Sequence, residues 1–349
     1  MVTLTSTTKK SVFIVLLLVA SFVLGIIFDR SNIRLLRPQP LATVDHQIRQ
    51  STFVTSSYQF IDPLIGCDES EKKSSIEFAP LKEKINNFIN SQISTAQIDS
   101  ASVYFDKRDG SWLSINPNEK YFPASLMKVP TMIAVLKVAE SDGALLTKKI
   151  VYDGSFDLNA IEHFKPAKNL VPHQAYTVDD LLFRMIGYSD NNAVPLLVNS
   201  IDTKILNEVF TDLGITIPQE ENATLTDYIT VKQYASFFRV LYNATYLNRE
   251  MSEKALYLLS QPDFPAGIMA GMPAGTKFVD KFGERNFGDN PNDLTSQKEL
   301  HDCGIVYYPD HPYLLCIMTK GTDFEKLANA IKNISKIVYD YNSATAQAK

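Results

Sequence analysis

Cysteine is scarce in this chain: only Cys67, Cys303 and Cys316 are present. An odd count closes no disulfide framework, and the spacing matches no zinc site. Cys303 and Cys316 fall in two apolar runs that should pair as a hairpin around "PDHP", which would make them near neighbours. Buried small hydrophobes are the expected state of both. Histidine is thin as well: the five residues, among them His163, His173, His301 and His311, are scattered without ligand spacing, so no metal and no other cofactor is expected. Positive charge is in deficit too. A formal net charge of -5 with no run of lysines removes the electrostatic footprint that a nucleic-acid partner needs. No internal repeat is visible. At 45% hydrophobic and 21% charged residues, the composition excludes disorder and a multi-span membrane protein.

Only one long apolar run stands out, "SVFIVLLLVASFVLGIIF" at residues 11–28. It is uncharged and close to the ~17 to 25 residues that a membrane-crossing helix needs. A cleaved signal peptide has a shorter apolar region of ~7 to 15 residues and a small-residue cleavage site, neither of which fits. The expected organisation is therefore a cytoplasmic tail at 1–10, a transmembrane anchor at 11–28, a linker at 29–78 carrying "RPQP" and many Ser and Thr, and a folded domain at 79–345. That domain would lie outside the cytoplasmic membrane, at the cell surface or in a periplasm, and a monomer is expected.

Within the domain, "PLKEKINNFINSQIS" spaces its apolar residues as a helix does, and "SASVYFDKR" and "SWLSINP" around "DG" predict a hairpin. The middle is helical. "ASLMKVPTMIAVLKVAE" is apolar almost all round, "TVDDLLFRMIGYSDNNAVPLLVNSI" opens on a Thr cap, and "TKILNEVFTDLG" and "TVKQYASFFRVLYNATYL" follow. Three β-rich runs, "TKFVDKFG", "LHDCGIVYYP" and "YLLCIMTKG", precede a closing amphipathic helix, "DFEKLANAIKNISKIVYDY". Strands at both ends around a helical middle predict an α+β fold, with an antiparallel sheet built from separated segments.

The chemistry resides in "YFPASLMKVP", where Ser125 and Lys128 stand three apart at the start of a buried helix. Two other S-x-x-K matches, Ser6 with Lys9 and Ser70 with Lys73, fall where nothing would hold the pair rigid. Residues three apart share a helix face, so the amine can reach the hydroxyl. A serine needs such a base to attack, and a lysine serves only if burial or a nearby cation keeps it neutral. The plainer alternative makes Ser125 a helix cap. Pro130 deletes the N–H that would bond the Leu126 carbonyl and threatens a bend.

Further on, "YSDNNA" supplies Ser189, Asp190 and Asn191, and "PAGTKFVDKFGERN" supplies Lys281 and Gly283. With S-x-x-K, S-D-N and K-x-G in this order, residues 79–345 resemble the class A β-lactamases and their penicillin-binding relatives. The resemblance implies a three-layer α/β/α sandwich of the serine β-lactamase type with an all-helical subdomain. It also implies roles: Ser125 the acylated nucleophile, Lys128 its base, Ser189 the proton donor to the leaving nitrogen, and Lys281 the cation beside it. Asn191 would bind a substrate amide carbonyl, Asp190 would brace the turn, and the backbone N–H groups of Ser125 and Glu284, next to Gly283, would hold the oxyanion. The substrate would be a small β-lactam or a cell-wall peptide.

Two positions depart from the pattern. Phe282 stands where the family places a Thr or Ser hydroxyl that helps to hold a substrate carboxylate. The E-x-x-L-N loop, whose glutamate activates water in class A enzymes, is replaced by "ITIPQEENATL", leaving Glu220 and Glu221 as candidates for that task, alongside the plainer reading of an exposed loop pair. A D,D-peptidase-like enzyme with slow deacylation, and a catalytically silent module binding cell wall or protein, remain as alternatives.

Overall fold

The computed structural model describes residues 58–62, 77–107, 111–218, 226–261, 264–288, 293–309 and 311–347. The segment 11–28 and both Glu220 and Glu221 lie outside the described residues. Among the described residues no helix is long and apolar enough to cross a membrane.

Five strands form the main sheet: β1 (Ser100–Lys107), β2 (Trp112–Ile115), β7 (Phe278–Asn286), β8 (Lys298–Val306) and β9 (Tyr313–Gly321), in the order β2-β1-β9-β8-β7. Every pairing is antiparallel, and the terminal segments meet where β1 lies against β9 with Val103 opposite Ile317. Both faces of the sheet are covered, which explains why the strands read as apolar runs rather than as clean alternation. Val103, Phe105, Leu315 and Ile317 pack with α1 (Ala79–Ser94) and α9 (Phe324–Gln347), which contribute Leu81, Ile85, Leu327 and Ile331. Tyr104, Leu314 and Met318 point the other way, into the helical middle of the chain.

That middle is built on α2 (Lys128–Ala139), whose residues are nearly all buried. Around it lie α3 (Val178–Gly187), α4 (Ala193–Val198), α5 (Thr203–Asp212), α6 (Val231–Tyr242) and α7 (Arg249–Leu259). Thr177 and Asp180 close a capping box on α3, and Thr230 and Gln233 close another on α6. Each such cap satisfies N–H groups that helix geometry leaves open and stabilises by about 1 kcal/mol. Minor two-residue strands β3 (Lys120–Tyr121) and β6 (Ile229–Thr230) pair, as do β4 (Lys149–Tyr152) and β5 (Gln174–Thr177); a short helix α8 (Gly267–Ala270) precedes β7.

Three sequence expectations are corrected. The continuous helix expected from Ala124 is divided into a 3₁₀ turn, Ala124–Met127, followed by α2. Pro130 therefore falls in the first turn, where its missing N–H is harmless. The Leu126 carbonyl accepts instead from the Tyr234 hydroxyl at 3.0 Å. Cys303 and Cys316 are not free thiols: the β8–β9 register sets them opposite each other, and they form a disulfide. Closing a loop of that length is worth about 3 kcal/mol by the chain-entropy argument. Finally, residues 58–62, assigned to the linker, are docked. The Glu253 carboxylate accepts three successive backbone N–H groups, from Gln59 at 2.7 Å, Phe60 at 2.9 Å and Ile61 at 3.0 Å, while Phe60 and Ile61 are buried.

Candidate active site

Three parts of the chain meet at one cleft: the 3₁₀ turn before α2, the break between α3 and α4, and β7. A glycine brings the first and third together. A Cβ at Gly283 would lie 2.9 Å from the Pro123 carbonyl oxygen and 3.0 Å from the Leu126 nitrogen, so only a bare backbone lets β7 approach the turn that carries Ser125. Ala124 and Ser189 both hold left-handed backbone, with φ of 49° and 56°. Non-glycine residues in that region cost of order 1 kcal/mol or more and are kept only where the surroundings impose them. Here they flank the two hydroxyls at the centre of the cleft.

The side chains form a continuous hydrogen-bonded series. Lys128 Nζ donates to Ser125 Oγ at 3.0 Å, to the Ser189 carbonyl at 2.6 Å and to Ser189 Oγ at 3.0 Å. Lys281 Nζ reaches the same Ser189 Oγ at 3.0 Å. Both amines are buried, whereas Ser125 is partly exposed. Burial above all, and then the charge of Lys281, drives the Lys128 ammonium well below its ordinary range. Burial also lowers Lys281, to about 8, against the pull of the carboxylates of Asp280, Asp302, Glu162 and Glu284. Thus the geometry places a hydroxyl, a base inclined to be neutral, a second hydroxyl and a cation in sequence.

Asp190 braces the second motif. Its oxygens accept from Asn159 Nδ2 at 2.7 Å, from the Asn192 backbone at 2.9 Å and from the Leu170 backbone at 3.1 Å. Asn191 sits at the cleft with Nδ2 donating to Glu162 Oε1 at 2.6 Å. Gly283 lies beneath the turn, and Glu284 turns its carboxyl inward, accepting the backbone N–H groups of Phe164 at 2.8 Å and His163 at 3.2 Å. Burial, and next to it Glu162, pushes that carboxyl up to about 8. Phe282 is buried, stacks on Phe264 with centroids 4.1 Å apart, and lies with its ring centroid 4.1 Å from Lys281 Nζ.

Reasoning from sequence missed the connection between β4 and β5, which contains Asn159, Glu162, His163 and Phe164. It spans the cleft. Asn159 and Asn191 tie it to the second motif, Glu284 ties it to β7, and Phe164 packs edge-on against Phe264, Phe282 and Phe324. "DLNAIEHFKP" has no helical or strand period, so the only available signal was a mixture of acidic, amide and aromatic residues in a polar connection.

Fold and site together define an α+β protein of the serine β-lactamase architecture. The sequence model of the β-lactamase enzyme family matches residues 80–342, and the chain belongs to that family. No curated protein matches it. Among solved structures, a class A β-lactamase from Mycobacterium abscessus is 20% identical with a TM-score of 0.61, covering 74% of this chain and 99% of its own. A β-lactamase from Sphaerobacter thermophilus is 20% identical with a TM-score of 0.60, covering 73% and 95%. A PBP-A mutant, captured as an acyl-enzyme complex with penicillin G, is 18% identical with a TM-score of 0.61, covering 76% and 97%. At these identities the likeness is one of fold.

Proposed function

We propose that this protein is a serine hydrolase acylated at Ser125 that opens a β-lactam or a related cyclic or peptide amide. The observation that carries the reading is the convergence on Ser189 Oγ of two buried amines, Lys128 and Lys281, each at 3.0 Å, while Lys128 also holds Ser125 Oγ at 3.0 Å. Neutral Lys128 would take the Ser125 proton as Oγ attacks the carbonyl carbon. Lys128 can then pass a proton through Ser189, which it touches, to the departing nitrogen. Lys281 keeps positive potential beside that transfer, and the backbone N–H groups of Ser125 and Glu284 receive the oxyanion. Such preorganised donors contribute about 3 to 4 kcal/mol each to the transition state. Asn191 would hold the substrate amide, and the apolar segment 11–28 would anchor the enzyme with this domain outside the cytoplasmic membrane.

The test is incubation with a labelled penicillin and intact-mass measurement, beside turnover of a chromogenic cephalosporin. An adduct on Ser125 with release is expected; neither adduct nor turnover would sink the reading. One observation favours a D,D-peptidase-like variant. The Phe282 ring offers no hydroxyl to a β-lactam carboxylate at the third motif, so a durable adduct without turnover would select that branch.

Gly283→Val gives a check on the geometry. The added side chain would collide with Pro123 and Leu126 and displace the turn that carries Ser125. Misplacing a reacting group by about 1 Å costs on the order of 100-fold in rate. Adduct formation should slow by at least about that factor, while circular dichroism stays that of the folded chain. An unchanged acylation rate would mean that the close approach is not needed.

A further inference from the structure

Release of an acyl group from Ser125 needs a base for water, and the described residues narrow the choice. The carboxylates whose charges act on Lys128 are Glu162, Asp190 and Glu284. Those that act on Lys281 are Asp280, Asp302, Glu162 and Glu284. Glu162 and Glu284 act on both amines, and Glu162 is joined to the second motif by Asn191 Nδ2 at 2.6 Å. Asp190 is in any case committed, since its oxygens accept from Asn159, Leu170 and Asn192. Asp280 and Asp302 project from the opposite face of their strands to Lys281 and Cys303, because successive residues of a strand alternate.

Glu284 and Glu162 differ in what they can do. The Glu284 carboxyl is buried and anchored on the backbone of His163 and Phe164, and it is held up to about 8, so at neutral pH it carries a proton. It lies within hydrogen-bonding contact of Glu162. Glu162 itself is half-buried, and its Oε1 is oriented by Asn191 Nδ2 at 2.6 Å. A protonated acid on one side and an amide donor on the other fix this carboxylate in place.

We propose that Glu162 is the general base that activates water to release the acyl group from Ser125, with Glu284 and Asn191 positioning it. The inference rests on the acylation proposed above. In the step, the water oxygen forms a bond to the acyl carbonyl carbon and its proton passes to Glu162, with the oxyanion received as in acylation. On collapse the bond from that carbon to Ser125 Oγ breaks. The proton that water gave to Glu162 passes to the neutral Lys128 amine and from it, across the 3.0 Å contact, to Oγ. The net change is one water consumed, one carboxylic acid released and the serine restored.

The experiment compares the full chain with Glu162→Gln, which keeps an oxygen for Asn191 but cannot take a proton. A fluorescent penicillin is added, the adduct is measured by intact mass, and its decay is followed after excess reagent is removed. Glu162→Gln should lengthen the adduct half-life at least about 100-fold, the usual scale for a lost general base, and slow release far more than it alters adduct formation. Glu284→Gln should have the smaller effect of the two. Equal half-lives in wild type and Glu162→Gln would overturn the assignment and leave the acylation standing. So would a wild-type adduct that persists for hours, or a Glu162→Gln variant that acylates faster and releases at the same rate, which would make the residue a cover over the cleft. Absence of any wild-type adduct or turnover would remove the acylation itself and this step with it.

Discussion

Ser125→Ala is expected to abolish the penicillin adduct and to lower hydrolysis by about 10⁴- to 10⁶-fold, the scale at which serine enzymes lose their nucleophile. The side chain has no other task that could account for such a loss. Its hydroxyl accepts one bond, from Lys128 at 3.0 Å, and Lys128 retains the carbonyl and hydroxyl of Ser189 when that bond is removed. The turn around Ser125 is held instead by the Leu126 N–H bond to the Pro123 carbonyl at 3.0 Å and by the Tyr234 hydroxyl on the Leu126 carbonyl at 3.0 Å, and neither involves the serine side chain. Stability should therefore change by no more than about 1 kcal/mol, the worth of one hydrogen bond. Intact-mass measurement and thermal melting on the same samples separate the two effects. Full adduct formation in Ser125→Ala would place the nucleophile elsewhere and end the reading built on it.

The elements of the fold were legible wherever a period persisted. The stripe in "PLKEKINNFINSQIS", the Thr177 cap and the apolar runs of β7, β8 and β9 each report a single dominant force, the burial of one face or of both. Motif spacing likewise singled out Ser125, Lys128, Ser189, Asn191, Lys281, Gly283 and Glu284, which lie around one site, although the 3₁₀ turn that carries Ser125 reads in the sequence as the start of a continuous helix. What could not be read was set by contacts across long sequence distances. The disulfide depends on the register between Cys303 and Cys316, which only the assembled sheet defines. Docking of residues 58–62 depends on a carboxylate some 190 residues away, at Glu253. Glu162 depends on Asn159 and Asn191 fastening an aperiodic connection to the second motif. Each is a polar or covalent contact with no local pattern to announce it.

Lys128→Met carries the second large effect, and its pH dependence says more than its magnitude. Loss of a general base costs about 10²- to 10⁴-fold, and methionine fills much of the same buried space without bringing a charge. Two ammonium groups on one serine hydroxyl repel, and the structure resolves the conflict by lowering Lys128 well below its usual range, first through burial and second through Lys281. Lys281 keeps its proton up to about 8 with help from Asp280 and Asp302 beneath its strand. Acylation by the wild type should consequently fall at low pH, as Lys128 becomes protonated and can no longer accept from Ser125. It should fall again above about pH 8, as Lys281 gives up its charge. The apparent values belong to the coupled pair rather than to either lysine. Lys128→Met should retain only a slow residual rate from which the acid limb is gone. Lys281→Met should act in the opposite sense on that limb: with its repelling charge removed, Lys128 binds a proton more readily, and the acid limb moves to higher pH. Rates of adduct formation measured across pH for the three proteins decide the matter. An acid limb that persists in Lys128→Met, or one that moves to lower pH in Lys281→Met, would assign the base to another group.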